Sequence, residues 1–184
     1  MNKRKEDEIC SVILQYGKDI LNSEQFRQAA SEKHHLRGTV LDHTINVCVV
    51  SVWLCQKLKK RGVEVNEKDL VQAALCHDLG MIGRESLYRG RAHSWGAHPG
   101  ESARIARELV PDLSEEAERM IRNHMWPVAG SPPRSVEEKL LCVADKYASM
   151  ADWQSYLTRH RFASRIKEQL EEAVPDRIVK PSAE

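Results

Sequence analysis

The sequence is poor in aromatic residues: two phenylalanines, four tryptophans and four tyrosines among 184 residues. That is too few for a stacking platform along a single-stranded nucleic acid. Net charge is also lacking, because 28 basic side chains are offset by 27 acidic ones. No broad field therefore draws the chain to a nucleic-acid polymer or an anionic lipid surface, and a polyanionic ligand must be recognised locally. The opening residues, MNKRKEDE, are charged where a secretory leader needs an apolar run, and no later stretch reaches membrane-spanning length. The expectation is a cytoplasmic protein without membrane contact. The five cysteines, Cys10, Cys48, Cys55, Cys76 and Cys142, form no CxxC pair and sit mostly among aliphatic residues. They read as small apolar core side chains and not as a disulfide framework. Internal repeats and low-complexity tracts are missing as well.

What the sequence does have is apolar spacing at helical intervals almost throughout, with few runs of period two, which predicts an all-α fold. The length suits one domain, residues 1–184, able to close a core without disulfides. Its core is expected at about residues 36–152, with N-terminal helices in 1–35 and a helical tail in 153–184 whose end is disordered. Helices are predicted over Asp7 to Leu21, Glu24 to Glu32 with Ser23 as its N-cap, Val40 to Lys60, and Glu67 to Asp78. The Val40 helix is apolar around most of its circumference and should be central. Leu79 to Ala97, with Gly80, Gly83, Gly90 and Gly96, is predicted as a long functional loop. Pro99 then suits the first turn of a helix to Leu109, Ser114 caps one ending near His124, and another runs from Val136 to about Trp153. A polar helix in the tail ends at Pro175.

Several histidines and aspartates fall on the apolar stripes of these helices. His43 shares a stripe with Val47, Val50 and Leu54; His77 with Leu70 and Ala73; His124 follows Met120 and Ile121 by one turn; Asp145 lies between Leu141 and Ala148. Burying an unpaired polar or charged group costs several kcal/mol, so each needs a partner. A single inward histidine is readily satisfied by a backbone carbonyl. Several, on different helices and joined by inward aspartates, point instead to one shared metal site. Imidazole with carboxylate suits iron, manganese, zinc or similar ions, and the absence of thiolates argues against a structural zinc site.

In order and spacing, His43, the His77–Asp78 doublet in CHDLG and Asp145 in ADKY resemble the H…HD…D signature of the HD-domain metal-dependent phosphohydrolases, over about Leu36 to Asp152. His98 in HPGES and His124 in RNHMWP look like the extra pair of the six-ligand, dinuclear subgroup. HDLGMIGR is similar to the HDIG variant, with Met81 where many relatives carry a lysine that helps hold phosphate. The resemblance implies a compact helical bundle with its metal site between the central helices. It implies two divalent metal ions: His43, His77, Asp78 and Asp145 on the first, His98 and His124 on the second, and Asp78 bridging. A water bridging the ions would lose a proton near neutral pH and attack phosphorus. The implied reaction is hydrolysis of a phosphoester or phosphoanhydride in a nucleotide-like or other small phosphorylated metabolite. A branch of the same superfamily uses six-ligand diiron centres as oxygenases that cleave C–C or C–P bonds, and these ligands suit that alternative too. A site that is filled but inactive, serving as a sensor, is a third reading.

Around the ligands, Arg84, Arg89, Arg91 and His93 from the glycine-rich stretch and Lys146 beside the last ligand are candidates to meet phosphate, with Arg84 and Lys146 the ones assigned a catalytic part. Trp126 is a candidate to stack on a base, and His34 and His35 to reach the pocket mouth. The oligomeric state is left open, a homodimer included.

Overall fold

The computed structural model describes residues 2–33, 38–87, 91–158 and 164–174, without the side chains of 85, 91–93, 152–158 and 164. Short polar side chains start the helices by accepting the first free backbone N–H groups. Asn2 accepts from Lys5 at the head of α1 (Lys3–Leu21), and Ser23 from Phe26 at the head of α2 (Glu24–Gln28). Thr39 and Asp42 form a reciprocal capping box on α3 (Val40–Lys59). Asn66 caps α4 (Glu67–Cys76), which is followed by a 3-10 turn over Leu79–Met81 and the short α5 (Arg84–Leu87). Then come α6 (Arg91–Leu109), α7 (Glu115–Asn123) capped by Ser114, α8 (Val136–Thr158) and α9 (Ser164–Ala173). No strand occurs among the described residues; Lys33 and Thr39 make one isolated bridge.

The chain is all-α, as predicted. α3 is buried around most of its circumference, from Val40 to Cys55, and packs against α8, α4 and α1. α4 also meets α1 and α7, while α6 lies along the 3-10 turn and α7. Ile9, Ile13, Ile45, Leu70, Leu75, Ile121 and Leu141 fill the space between them, all fully buried. α9 returns to α1, tied by Gln169 to Asp7 (2.7 Å) and by Lys167 to Asp42 at the start of α3.

Several boundaries differ from the sequence reading. α1 begins at Lys3 and not Asp7, because Asn2 supplies a cap that periodicity does not reveal. α2 stops at Gln28 and not Glu32, since the carbonyls of Ala29 and Glu32 accept the N–H groups of Leu41 and Val40. α4 ends at Cys76, two residues before Asp78, and α8 runs past Trp153 to Thr158. The largest difference is at α6. Pro99 sits inside the helix and not in its first turn, and much of the expected loop between Leu79 and Ala97 is helical. Proline removes one intrahelical bond. The helix is held instead by packing on either side of it, with the Ser94 hydroxyl on Met81 Sδ at 3.4 Å before the proline and the Gly80 N–H donating to Ser102 Oγ at 2.9 Å after it. The tail helix ends before Pro175 as predicted; residues 175–184, expected to be disordered, lie outside the described residues.

α1 precedes the residues that carry the chemistry, yet its apolar face is part of the same core. Replacing the fully buried Ile13 by alanine should cost about 2–5 kcal/mol in chemical denaturation. A loss under about 1 kcal/mol would show that α1 is not packed as described.

Candidate metal centre

α4 ends in a change of direction. His77 keeps helical dihedrals, φ −57° and ψ −31°, whereas Asp78 takes φ −112° and ψ 7°, and the chain enters the 3-10 turn. A helix end leaves carbonyls without intrahelical donors, and His77 fills one: its Nδ1 lies 2.8 Å from Ala74 O. α7 ends the same way, with His124 as C-cap and its Nδ1 2.7 Å from Ile121 O. Within α6, His98 Nδ1 lies 2.8 Å from Ser94 O. A carbonyl only accepts, so Nδ1 carries the proton in all three rings, and a neutral ring then presents Nε2 as a lone pair.

Those Nε2 atoms converge on Asp78. Its Oδ1 lies 3.2 Å from His98 Nε2 and 3.5 Å from His124 Nε2. Its Oδ2 lies 3.6 Å from His77 Nε2 and 3.8 Å from His43 Nε2. Asp145, from α8, places Oδ1 3.1 Å from His43 Nε2. All six groups are buried, Asp145 being the most accessible at 8 %. Two ligand groups follow, His43–His77–Asp78 and Asp78–His98–His124, with donor atoms in each within 4.8 Å of one another. Ligands about 2.0–2.2 Å from a shared cation stand roughly 3.0–3.5 Å apart; the contacts of His98 and His124 with Asp78 and of His43 with Asp145 fall in that range, and those of His77 and His43 with Asp78 lie just beyond it.

A family model describing the HD domain matches residues 40–150, more than half of the chain. The chain belongs to the HD-domain family. Comparison with curated proteins and with solved structures finds no match. HD-domain proteins are in general metal-dependent hydrolases, and the residues of this HD domain fit a divalent cation on their own chemistry. His77 Nε2 is buried with no hydrogen-bond partner. His98 Nε2 and His124 Nε2 face each other at 3.1 Å although both rings already donate through Nδ1. Two lone pairs at that distance repel unless a metal ion or a proton stands between them. The C-termini of α4 and α7 add the negative ends of their dipoles.

Electrostatics separate the ligands. Burial pushes His77 down to about 4, the charge of Asp78 offsetting only part of it. Burial also opposes charge on His98, but the hydrogen bond and charge of Asp78 outweigh it and raise its pKa. Asp145 is held well below the usual carboxylate range, because the bond to His43 and the neighbouring histidines overcome its burial. Cys76 is pushed up to about 12 by burial and remains a thiol.

The remaining candidates are scattered. Arg84 opens α5, partly buried. Lys146 Nζ reaches His124 O and Asp145 Oδ2. Trp126 is 39 % exposed in the turn after α7. Arg89, His34 and His35 lie outside the described residues, as do the side chains of Arg91 and His93. Met81 is buried under Ser94. A shallow groove of about 580 Å³ lined by Glu8, Gln56, Lys59 and Glu67 lies at the opposite ends of α3 and α4 from the cluster. Sequence reasoning did not find the carbonyls of Ala74, Ser94 and Ile121 that orient the rings; their i−3 and i−4 spacing from each histidine was the available signal.

Gly80 admits α6. A Cβ there would stand 2.4 Å from His98 O and 2.7 Å from Ser102 N, both backbone atoms. Gly80→Ala should therefore displace the segment carrying His98 and lower metal uptake by the Asp78–His98–His124 group, read by metal analysis; unchanged uptake would contradict the close approach. Acid should also act unequally. As pH falls, His98, with its raised pKa, is protonated before His77, which stays neutral until near pH 4. In the metal-free protein, the depressed His77 removes stability as pH falls from its ordinary 6.5 towards 4, whereas the raised His98 contributes stability that is lost as pH rises through its folded value. An NMR titration of the imidazole signals in the metal-free protein should show His98 taking up its proton at higher pH than His77, and the reverse order would contradict this.

Proposed function

We propose that this HD-domain protein binds two divalent metal ions and hydrolyses a phosphoester or phosphoanhydride bond in a small, nucleotide-like phosphorylated metabolite. The reading rests on how Asp78 is shared, one oxygen towards His43 and His77 and the other towards His98 and His124. A mononuclear site has no use for the second pair. In this reading His43, His77, Asp78 and Asp145 hold one ion, and His98, His124 and Asp78 the other. Iron, manganese and zinc all accept such a mixture of imidazole and carboxylate. Bound there, the ions supply a water that ionises near neutral pH and positive charge against the phosphoryl oxygens.

The chain's own groups do the rest. Three imidazoles are held in one tautomer by backbone carbonyls, so their lone pairs are aimed before any ligand arrives. Arg84, six residues beyond Asp78, offers a forked guanidinium to a phosphate. Met81 does not offer a comparable contact, being buried and engaged with Ser94. Trp126, two residues after His124, presents an indole that suits the flat face of a base.

Protein purified without chelators should carry close to two transition-metal ions per chain. His77→Ala and Asp78→Ala should remove both metal and hydrolysis, a larger effect than the roughly 10–100-fold that loss of an outer hydrogen-bond partner costs. Nucleotides, dinucleotides, cyclic nucleotides and sugar phosphates, assayed with manganese and with ferrous iron, should include one that releases phosphate or a nucleotide. Protein that takes up no metal and hydrolyses nothing overturns the proposal. So does turnover that consumes oxygen with a phosphonate or polyol and hydrolyses no phosphate ester.

A further inference from the structure

We infer that Lys146 is a positioning residue that locks the two halves of the metal centre together, and not a group that meets the substrate. This rests on the dinuclear reading above. Lys146 follows Asp145 on α8, and its ammonium donates to His124 O at 2.8 Å and to Asp145 Oδ2 at 3.2 Å. The first contact reaches the backbone of the His98–His124 half. The second reaches the carboxylate whose other oxygen meets His43 at 3.1 Å, in the opposite half. One side chain thereby fixes both the turn that carries His124 and the rotamer of Asp145.

The cap at α7 shows why the contact is structural in kind. His124 is the C-cap of that helix, and the last carbonyls of a helix have no intrahelical donors. α8 supplies two of them from side chains four residues apart, which share a helix face: Cys142 Sγ lies 3.5 Å from Asn123 O, and Lys146 Nζ 2.8 Å from His124 O. A cation is also favoured at the negative end of the helix dipole. An ammonium has three donors, and two are committed here, which leaves one for solvent or a phosphate. The stem of Lys146 is partly exposed, with 43 % of the side chain accessible, so the fold does not depend on burying it.

The test compares Lys146→Met, which keeps the stem and removes the charge and donors, with Lys146→Arg, which keeps both. Manganese is titrated calorimetrically into full-length metal-free protein, metal content is measured after dialysis, and melting temperature checks the fold. Lys146→Met should melt near the wild type yet bind manganese about 10–100-fold more weakly, with the His98–His124 side emptied first. Lys146→Arg should recover most of the loss. Inorganic phosphate should bind equally well to wild type and Lys146→Met once both are saturated with manganese. If Lys146→Met binds two ions as tightly as the wild type, or loses phosphate affinity at unchanged metal affinity, the inference is overturned while the dinuclear reading stands. If the wild type itself takes up fewer than two ions, the dinuclear reading falls and the inference with it.

Discussion

Asp78 is a carboxylate almost wholly removed from water, and the helices around it are arranged to make that tolerable. An ionised carboxylate in a dry interior is unfavourable by many kcal/mol unless surrounded by donors or positive charge. Here α3, α4, α6 and α7 each bring one imidazole to it, and α8 brings Asp145 beside His43. The long apolar interfaces of α3 with α4 and α8 hold these elements in place. Without a cation the same arrangement leaves a buried ring nitrogen unpartnered and sets two others face to face. The fold thus builds a centre that a positive charge would stabilise.

The way the helices end solves a second problem with the same atoms. α4 and α7 both stop at a histidine whose Nδ1 caps the helix's own carbonyl. That single hydrogen bond terminates the helix, fixes the tautomer and aims Nε2 at Asp78. His98 uses the equivalent bond inside α6, and α6 comes close enough only because Gly80 has no side chain. Preorganisation of this kind places ligands on rigid elements and needs no extra residues.

Much of this was legible in the sequence. The helices capped by Ser23 and Ser114 were readable from periodicity and capping chemistry. The cluster was readable because His43, His77, His124 and Asp145 sit on apolar stripes where an unpartnered polar group is unfavourable. The N-terminal half of α6 was not: its glycines read locally as a loop and Pro99 as a helix start, while Met81, distant in sequence, packs against it through Ser94. The surroundings of Lys146 were hidden for a related reason. A lysine beside an acidic ligand resembles a phosphate contact, and its principal partner is a backbone carbonyl 22 residues away, which no side-chain pattern encodes.

Asp78 is proposed to divide two cations between its oxygens. Anomalous diffraction from crystals of the manganese-loaded protein tests it most directly. Two peaks are expected to flank the Asp78 carboxylate, one beside His43, His77 and Asp145 and the other beside His98 and His124. A single peak, or two peaks that leave either histidine pair unligated, would contradict it.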